Sequence, residues 1–423
     1  MSSKREVVVT GMGVLCPIGI DLDAYWNALI NGVSGVGFSK SIQTQLERKP
    51  ICAETPDFKP KDYIKPKKNI KVMSRDIQLG MVASILATQN ANLNLDNDAR
   101  AVEPERLGCI FGCDLIGLEL DALLPAFKQG IKDGKFDFST WGRASMESIM
   151  PLWLLRYLPN MAASHFAISV DARGPNNTNA LDRGSSLAAI MEGCRIIERG
   201  AADVMVVGGV GNKLNPTILA RGGAYNLAPY SENPQDDPRP FDADRRGTVV
   251  GDGAGAFVLE SREFAEARGA KIYGTILSFA EAVEPTATFG IQQDAIESAI
   301  RQTLRNAHVD AADVGHVNAN ALGVPDDSKE ALALRNQLGD VPVFAAAGHL
   351  GNLGSGAGAV ELVASFQAVA NKQIPATRNC DKVAQDCPVN VVKAQPQPLD
   401  NNLFLKLSHA NTGRSFAILV QAQ

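Results

Sequence analysis

Few side chains in this sequence are placed to do covalent chemistry. Cys113 closes the apolar run Leu107-Gly108-Cys109-Ile110-Phe111-Gly112, and a thiol at a strand exit is a residue type that can act as a nucleophile. A small buried cysteine with a packing role is the plainer reading of the same position. Ser185 and Ser186 open a helical pattern that runs to Arg199, and they read as N-terminal caps. His165, His308, His316 and His409 are scattered through different elements without metal-ligand spacing. His349 lies in the glycine-rich run from Gly348 to Gly358, which lacks the Gly-Lys-Ser/Thr ending of a phosphate loop. The seven cysteines form no CxxC pair and read as reduced thiols rather than a disulfide framework or a zinc cluster. No metal or other cofactor is called for.

The elements that must position these groups have the style of an α/β protein, in which short β-branched runs end in glycine and alternate with longer helical patterns. Val7-Val8-Val9 reads as a buried strand feeding a glycine turn at Gly11-Met12-Gly13, and Leu107–Gly112, Asp203–Gly209 and Asp313–Ala319 repeat the style. Four such apolar strands predict a sheet covered on both faces. Ser186–Arg199 and Gly358–Asn371 have the periodicity of helices. The order is echoed. A strand exit near Gly112, a small-residue turn at Gly184-Ser185-Ser186 and a helix are matched later by a strand exit near Asn320, a turn from Gly354 to Gly358 and a helix. This predicts two halves, residues 1–265 and 266–423, joined near Glu260 to Gly269. Residues 117–161, with Trp141 and Leu152-Trp153-Leu154-Leu155, break the alternation and read as an inserted cap on the first half.

Composition excludes several classes of function. With 423 residues, 45% of them apolar, the chain is long enough for a large core or two packed halves. A formal charge of −5 leaves no basic excess with which to neutralise phosphates, so nucleic acid is not an expected partner. The short charged stretch from Met1 to Glu6 and the brief Val7-Val8-Val9 run resemble neither a signal sequence nor a membrane span, so a cytoplasmic protein without a membrane-spanning segment is expected.

Motifs spread from the first strand to the last resemble those of the β-ketoacyl-acyl-carrier-protein synthases, the condensing enzymes of the thiolase superfamily. VVVTGMGVLCPIG followed by AYWNALINGVSGV is similar to the family's opening signature, RLGCIFGC to its next glycine-ended strand, and RGPNNT to the approach to its nucleophile. GAADVMVVGG, NPQDDPRPFDADRRGTVVGDGAGAFVLE and VNANALGVP follow in the expected order. The resemblance implies a thiolase-like fold of duplicated βαβ halves in a five-layer αβαβα arrangement. It also implies that Asp242, Asp244, Arg239 and Arg245 pair with each other and with backbone to brace a long turn.

In that family a cysteine at a helix N-terminus takes the acyl chain, two imidazoles handle the decarboxylation of malonyl carrier protein, and backbone N–H groups hold the thioester oxyanion. Counting on from RGPNNT puts Arg183 at the nucleophile position. An arginine keeps its proton and has no nucleophilic atom at neutral pH. The first histidine position falls on Asn320, which can hydrogen-bond but cannot shuttle a proton. The second falls on Asn352 when the chain is read back without gaps from Gly358-Ala359-Val360-Glu361, with Ala347 at the lysine position, or on His349 if three residues are inserted behind Gly348-His349-Leu350. Cys113, Asp114 and Leu115 stand where the family has small residues facing the nucleophile, and Thr412 is expected at the aromatic gate.

The resemblance therefore implies a remodelled pocket and leaves three function classes open. One is a non-condensing homologue that pairs with an active ketosynthase, similar to the chain-length factor subunits of type II polyketide synthases. A second is a protein that holds an acyl chain or an acyl-carrier-protein intermediate without turning it over. A third is altered chemistry, decarboxylation or acyl transfer, through Cys113 or His349. Implied partners are an acyl carrier protein and either an active ketosynthase or a second copy, with Ala167-Ile168-Ser169-Val170 as the apolar interface strand. Arg183, expected at a helix start, needs an anion if it is buried; Asp182, adjacent in sequence, and Asp114, across the cavity, are the candidates, and Asp114 is the expected partner, forming a plug.

Overall fold

A computed structural model describes residues 4–42, 48–95, 99–220, 226–285 and 289–423, so Met1–Ser3 of the charged N-terminal stretch lie outside the described residues. The central strands, in chain order, are β1 (Val7–Leu15), β2 (Leu107–Cys113), β3 (Asn176–Asn179), β4 (Val204–Asn212), β5 (Asp252–Ser261), β6 (Gly274–Val283), β7 (His316–Ala319), β8 (Pro342–Ala345), β9 (Asn390–Val391), β10 (Leu403–Ala410) and β11 (Arg414–Ala422). The helices that matter for the site are α1 (Arg75–Asn90), α2 (Met161–Ser169), α3 (Ser185–Glu198), α4 (Gln293–Ala307), α5 (Asp327–Leu338) and α6 (Ala357–Ala370).

Strand order across the sheet is β9-β8-β7-β10-β11-β6-β1-β5-β4-β2-β3. The two halves repeat one topology: β3-β2-β4-β5-β1 in the first corresponds to β8-β7-β10-β11-β6 in the second. In each, the first three strands run parallel and the next two are antiparallel. The halves meet along a short antiparallel seam in which Val8 faces Thr275 and Val9 faces Gly274. Helices α3 and α6 pack between them and against each other, α1 and α2 cover the outer face of the first half, and α4 covers that of the second. This is the expected five-layer thiolase-like arrangement. The inner parallel strands β2, β4, β7 and β10 are buried, as their largely apolar composition requires.

Two expectations about strands fail for physical reasons. β1 does not turn at Gly11 and Gly13 but runs on to Leu15. These glycines serve close packing: a Cβ on Gly11 would sit 2.3 Å from the Ala87 carbonyl oxygen and one on Gly13 2.2 Å from that of Ala83, so α1 lies directly on the strand. Ala167–Val170 is not a strand, because the small-residue run before it carries α2 through Ser169. The outer strand of this half is the polar β3, and Ile168 is exposed on the helix.

The charged string after β4 is a brace, although a wider one than its own residues suggest. Asp242 accepts backbone N–H groups of Asp244 (2.8 Å), Asp381 and Lys382 (both 2.9 Å), with Arg239 Nη1 at 3.8 Å. Arg245 reaches Asp386 at 2.6 Å and the Val324 carbonyl at 3.2 Å, which ties this long turn to the second half.

Candidate active site

From β3 the chain passes through Asp182, whose φ of +51° is left-handed, into a 3₁₀ turn over Asp182–Gly184 and then into α3. Gly184 has to be glycine here, since a Cβ would lie 2.2 Å from the Phe416 ring. Pressing this turn onto Phe416 buries the side chain of Arg183. In the second half the corresponding turn, Gly354–Gly356, opens α6, and the two turns are in contact at the centre of the molecule. Ser185 and Ser186 are not simple caps of their own helix. Ser185 Oγ donates to the Asp182 carbonyl at 2.6 Å, while Ser186 Oγ accepts the Ala359 N–H at 3.1 Å and so satisfies a free donor in the first turn of α6.

Arg183 uses all three guanidinium nitrogens. Nε donates to Asn320 Oδ1 (3.1 Å), Nη1 to Asn352 Oδ1 (2.9 Å), and Nη2 to the Asn320 carbonyl (3.3 Å) and Glu361 Oε1 (3.1 Å). Asn320 Oδ1 also accepts from Ser408 Oγ at 3.4 Å and His409 N at 3.3 Å, and these donors together fix the orientation of its amide. Glu361 gives its other oxygen to Lys406 Nζ at 2.6 Å, and Lys406 is held as well by Asn318 Oδ1 (3.1 Å) and the Ala319 carbonyl (3.3 Å). A second buried carboxylate, Glu330, accepts the Asn320 N–H at 2.7 Å and lies 3.1 Å from His409 Nε2.

Burial sets the electrostatics. Desolvation pulls the Lys406 amine below its ordinary value, against the opposing pull of Glu361. Asp327 is pushed up to about 6 by burial even though it accepts backbone N–H groups from Leu322, Gly323 and Phe241. Arg183, Asn320, Asn352, Asp327, Glu330 and Asn411 line a cavity of only ≈ 40 Å³. That is room for about one water molecule and not for an acyl chain.

The structure thus brings Arg183, Asn320 and Asn352 together and places the other expected pocket residues elsewhere. The proposed plug is overturned: Asp114 lies 3.8 Å from Lys213 Nζ, which also approaches Asp182 at 3.7 Å, and Arg183 pairs with Glu361. Lys213, next to the end of β4, meets Asp114 from the neighbouring strand β2, whereas Glu361 comes up beneath Arg183 on α6. Cys113 is buried with its thiol pushed well above its ordinary value, chiefly by desolvation, and its Sγ rests 3.5 Å from the Asp114 carbonyl. Leu115 is 57% exposed. His349 is buried away from the cavity, Nδ1 at 2.9 Å from the Val33 carbonyl and Nε2 at 3.0 Å from that of Ala376, with burial lowering its pKa. Thr412 is exposed at the tip of the β10–β11 hairpin, and the residue of that loop that lines the cavity is Asn411.

Glu361, Lys406, Glu330 and His409 were not singled out as site residues in the sequence. Two left a signal: Lys406 is a lone charge inside Leu403-Phe404-Leu405-Lys406-Leu407, and Glu361 is a lone charge in the apolar α6. A charge inside a fully buried pattern points to a partner.

Comparison with known proteins assigns the architecture. Residues 4–265 match the β-ketoacyl synthase N-terminal domain and residues 270–381 the β-ketoacyl synthase C-terminal domain. The chain is 31% identical over 399 residues to the 3-oxoacyl-[acyl-carrier-protein] synthase 2 of Vibrio cholerae, covering 92% of each chain. Among solved structures it is similar to the ishigamide ketosynthase/chain length factor, with a TM-score of 0.86, 24% identity and 100% of both chains covered. It is also similar to a type II polyketide acyl-carrier protein in complex with its ketosynthase bound to the hexaketide, with a TM-score of 0.84, 22% identity and the same coverage. With matched domains over most of its length and a curated relative above 30% identity, the chain belongs to the β-ketoacyl synthase family.

Proposed function

We propose that this chain is a non-condensing ketosynthase homologue that acts as a chain-length-factor-like partner of an active ketosynthase in fatty-acid or polyketide-type biosynthesis. The observation that carries the reading is the state of Arg183. At the position expected to hold the nucleophile, an arginine only 3% exposed is bonded through its guanidinium to Asn320 and Asn352 and ion-paired with Glu361. These groups supply neither a nucleophile nor a proton carrier where condensation needs both. The two asparagines that would stand for histidines instead satisfy the cation. A solved ketosynthase/chain length factor is among the similar folds, and acyl carrier protein and ketosynthase are the partners we assign.

Holding an acyl chain at this position is less well supported, because the ≈ 40 Å³ cavity beside Arg183 has no room for one. Altered chemistry through Cys113 or His349 is disfavoured by the burial of both.

The test is to incubate the purified chain with acyl and malonyl carrier proteins, alone and together with the ketosynthase of its own organism. Intact mass and product analysis are expected to show no adduct and no condensation by this chain alone, and a stable mixed complex that produces ketoacyl product. Condensation by this chain alone would overturn the reading, as would a failure to associate with the ketosynthase.

A further inference from the structure

At the opposite end of α3 from Arg183, roughly 18 Å along the helix at 1.5 Å per residue, the C-terminal ends of α3 and α4 meet β6 in an open groove of ≈ 730 Å³. Lys4, Arg195, Arg305 and His308 line it, and among the described residues that do so Glu198 is the only acidic one. That carboxylate is already taken, by Lys4 Nζ at 2.7 Å. The Arg195 guanidinium lies 5.2 Å from the centroid of the Phe279 ring and Lys4 Nζ 5.7 Å from it, so one aromatic side chain holds two of the cations in place. Among the described residues, neither Arg195 nor Arg305 has a carboxylate partner or a side-chain hydrogen bond. Elsewhere the fold pairs its arginines: Arg106 reaches Asp203, Arg262 reaches Glu6 and Arg268 reaches Glu260. One basic side chain at each helix end would complement the macrodipoles, and here Lys4 and His308 are added. His308 ends α4 in the left-handed conformation, φ +54°, where glycine is the usual residue.

We propose that this groove binds a diphosphate, either inorganic pyrophosphate or the diphosphate group of a nucleotide. Two guanidinium groups without acidic partners, one from each half of the fold, match two phosphoryl groups, since each presents a planar fork of donors to a pair of oxygens. A single phosphate engages one fork and leaves the other unmet. Lys4, fixed by Glu198, adds a third permanent cation. Phe279 is already engaged by Lys4 and Arg195, so the phosphates rather than a stacked base carry the recognition. The volume lies within the range of small-molecule sites and takes either form of the ligand. The formal charge of the whole chain, −5, repels an anion, so the attraction has to come from these local side chains. The inference is independent of the catalytic state of the Arg183 site.

The test is isothermal titration calorimetry of the full chain, in magnesium-free buffer, with pyrophosphate, ADP, AMP, orthophosphate and citrate. Pyrophosphate and ADP are expected to saturate with dissociation constants on the order of 0.1 mM, about ten-fold or more tighter than AMP or orthophosphate. Equal affinity for the two, or a preference for pyrophosphate, assigns the inorganic ion, and a preference of about ten-fold for ADP assigns a nucleotide. Arg195→Gln and Arg305→Gln should each weaken pyrophosphate about ten-fold, the loss of one charge-assisted contact. Arg199→Gln changes an exposed arginine just past α3 that does not line the groove, and it should leave the affinity as it is. No saturable binding of either diphosphate would overturn the proposal. So would citrate or orthophosphate binding as tightly as pyrophosphate, or an equal loss in Arg199→Gln and Arg195→Gln. Should Arg195→Gln not fold, the ligand series and Arg305→Gln decide the matter.

Discussion

Arg183 and Lys406, which lie on opposite halves of the duplicated fold, share one carboxylate: Glu361 takes Arg183 Nη2 on Oε1 at 3.1 Å and Lys406 Nζ on Oε2 at 2.6 Å. Two buried cations on one anion make Glu361 the residue on which this part of the core depends.

Removing that anion should therefore cost more than removing either cation. Glu361→Gln leaves Arg183 and Lys406 buried without a counter-charge and is expected to destabilise by about 3–5 kcal/mol, the usual result of breaking a buried pair from one side. Arg183→Met leaves the Lys406–Glu361 pair in place and takes a donor from Asn352 Oδ1, the Asn320 carbonyl and Glu361 Oε1 without leaving a buried cation unpaired, so a loss of about 1–3 kcal/mol is expected. Urea unfolding followed by circular dichroism gives both values. Equal costs, or a larger cost for Arg183→Met, would contradict the shared-carboxylate account.

All seven cysteines are buried, and burial pushes Cys16, Cys52, Cys380 and Cys387 up to about 12 and raises the Cys113 thiol as well. The thiolate is the reactive form, so native protein at pH 8 should react negligibly with a thiol-specific reagent. Unfolding in guanidinium should release all seven. Rapid native labelling at Cys113, mapped by peptide mass, would return that residue to the set of candidate nucleophiles.

How much of this was legible in the sequence depended on the kind of information. The strands beginning at Val7, Leu107 and Val204 and the helices beginning at Ser185 and Ala357 announced themselves by apolar runs and periodicity, because burial on both faces leaves no other composition. The matched strand exits near Gly112 and Asn320 gave the duplication. Gly11 and Gly13 misled because glycine marks both turns and close helix contacts, and only the packing of α1 distinguishes the two. At the site, Arg183, Asn320 and Asn352 were reachable by counting along motifs, and the ungapped count is the one whose asparagine touches Arg183. The counter-ion was not reachable in that way. Asp114 stands at a motif position expected to face the nucleophile, whereas Glu361 reaches Arg183 from α6, 178 residues away, and no local pattern encodes that meeting.

A pH dependence follows from Asp76, which is buried, accepts Asn212 Nδ2 at 3.2 Å and is pushed up to about 6 by desolvation. A carboxyl raised in the folded state holds its proton there while the unfolded chain releases it at ~3.9. The stabilisation is fully present below that unfolded value and is lost as pH rises to about 6. His316, lowered to about 3 by burial, works in the opposite sense, because the unfolded chain takes up a proton that the fold refuses. The two are separated by comparing wild type with Asp76→Asn. From pH 4 to pH 7 the unfolding free energy of wild type should fall relative to the variant by about 2–3 kcal/mol. A difference that stays constant across this range would show that Asp76 is not the titrating group.

The last expectation concerns repair of the site. Arg183→Cys would place a thiol at the start of α3, where the helix N-terminus favours a thiolate. The same change leaves Asn320, Asn352 and the Lys406–Glu361 pair in place, and neither amide can carry a proton in the decarboxylation and condensation steps. It also empties the space filled by the guanidinium, so the cavity grows beyond its present ≈ 40 Å³ while Glu361 keeps only Lys406. The variant is expected to fold and at most to take up an acyl group from acyl carrier protein, visible as a covalent mass on the peptide containing residue 183. It should form no ketoacyl product from malonyl carrier protein. Asn320→His and Asn352→His added to Arg183→Cys would be needed before turnover rises above background. Product formation by Arg183→Cys alone would show that the proton-handling residues lie elsewhere and that Asn320 and Asn352 are not their counterparts.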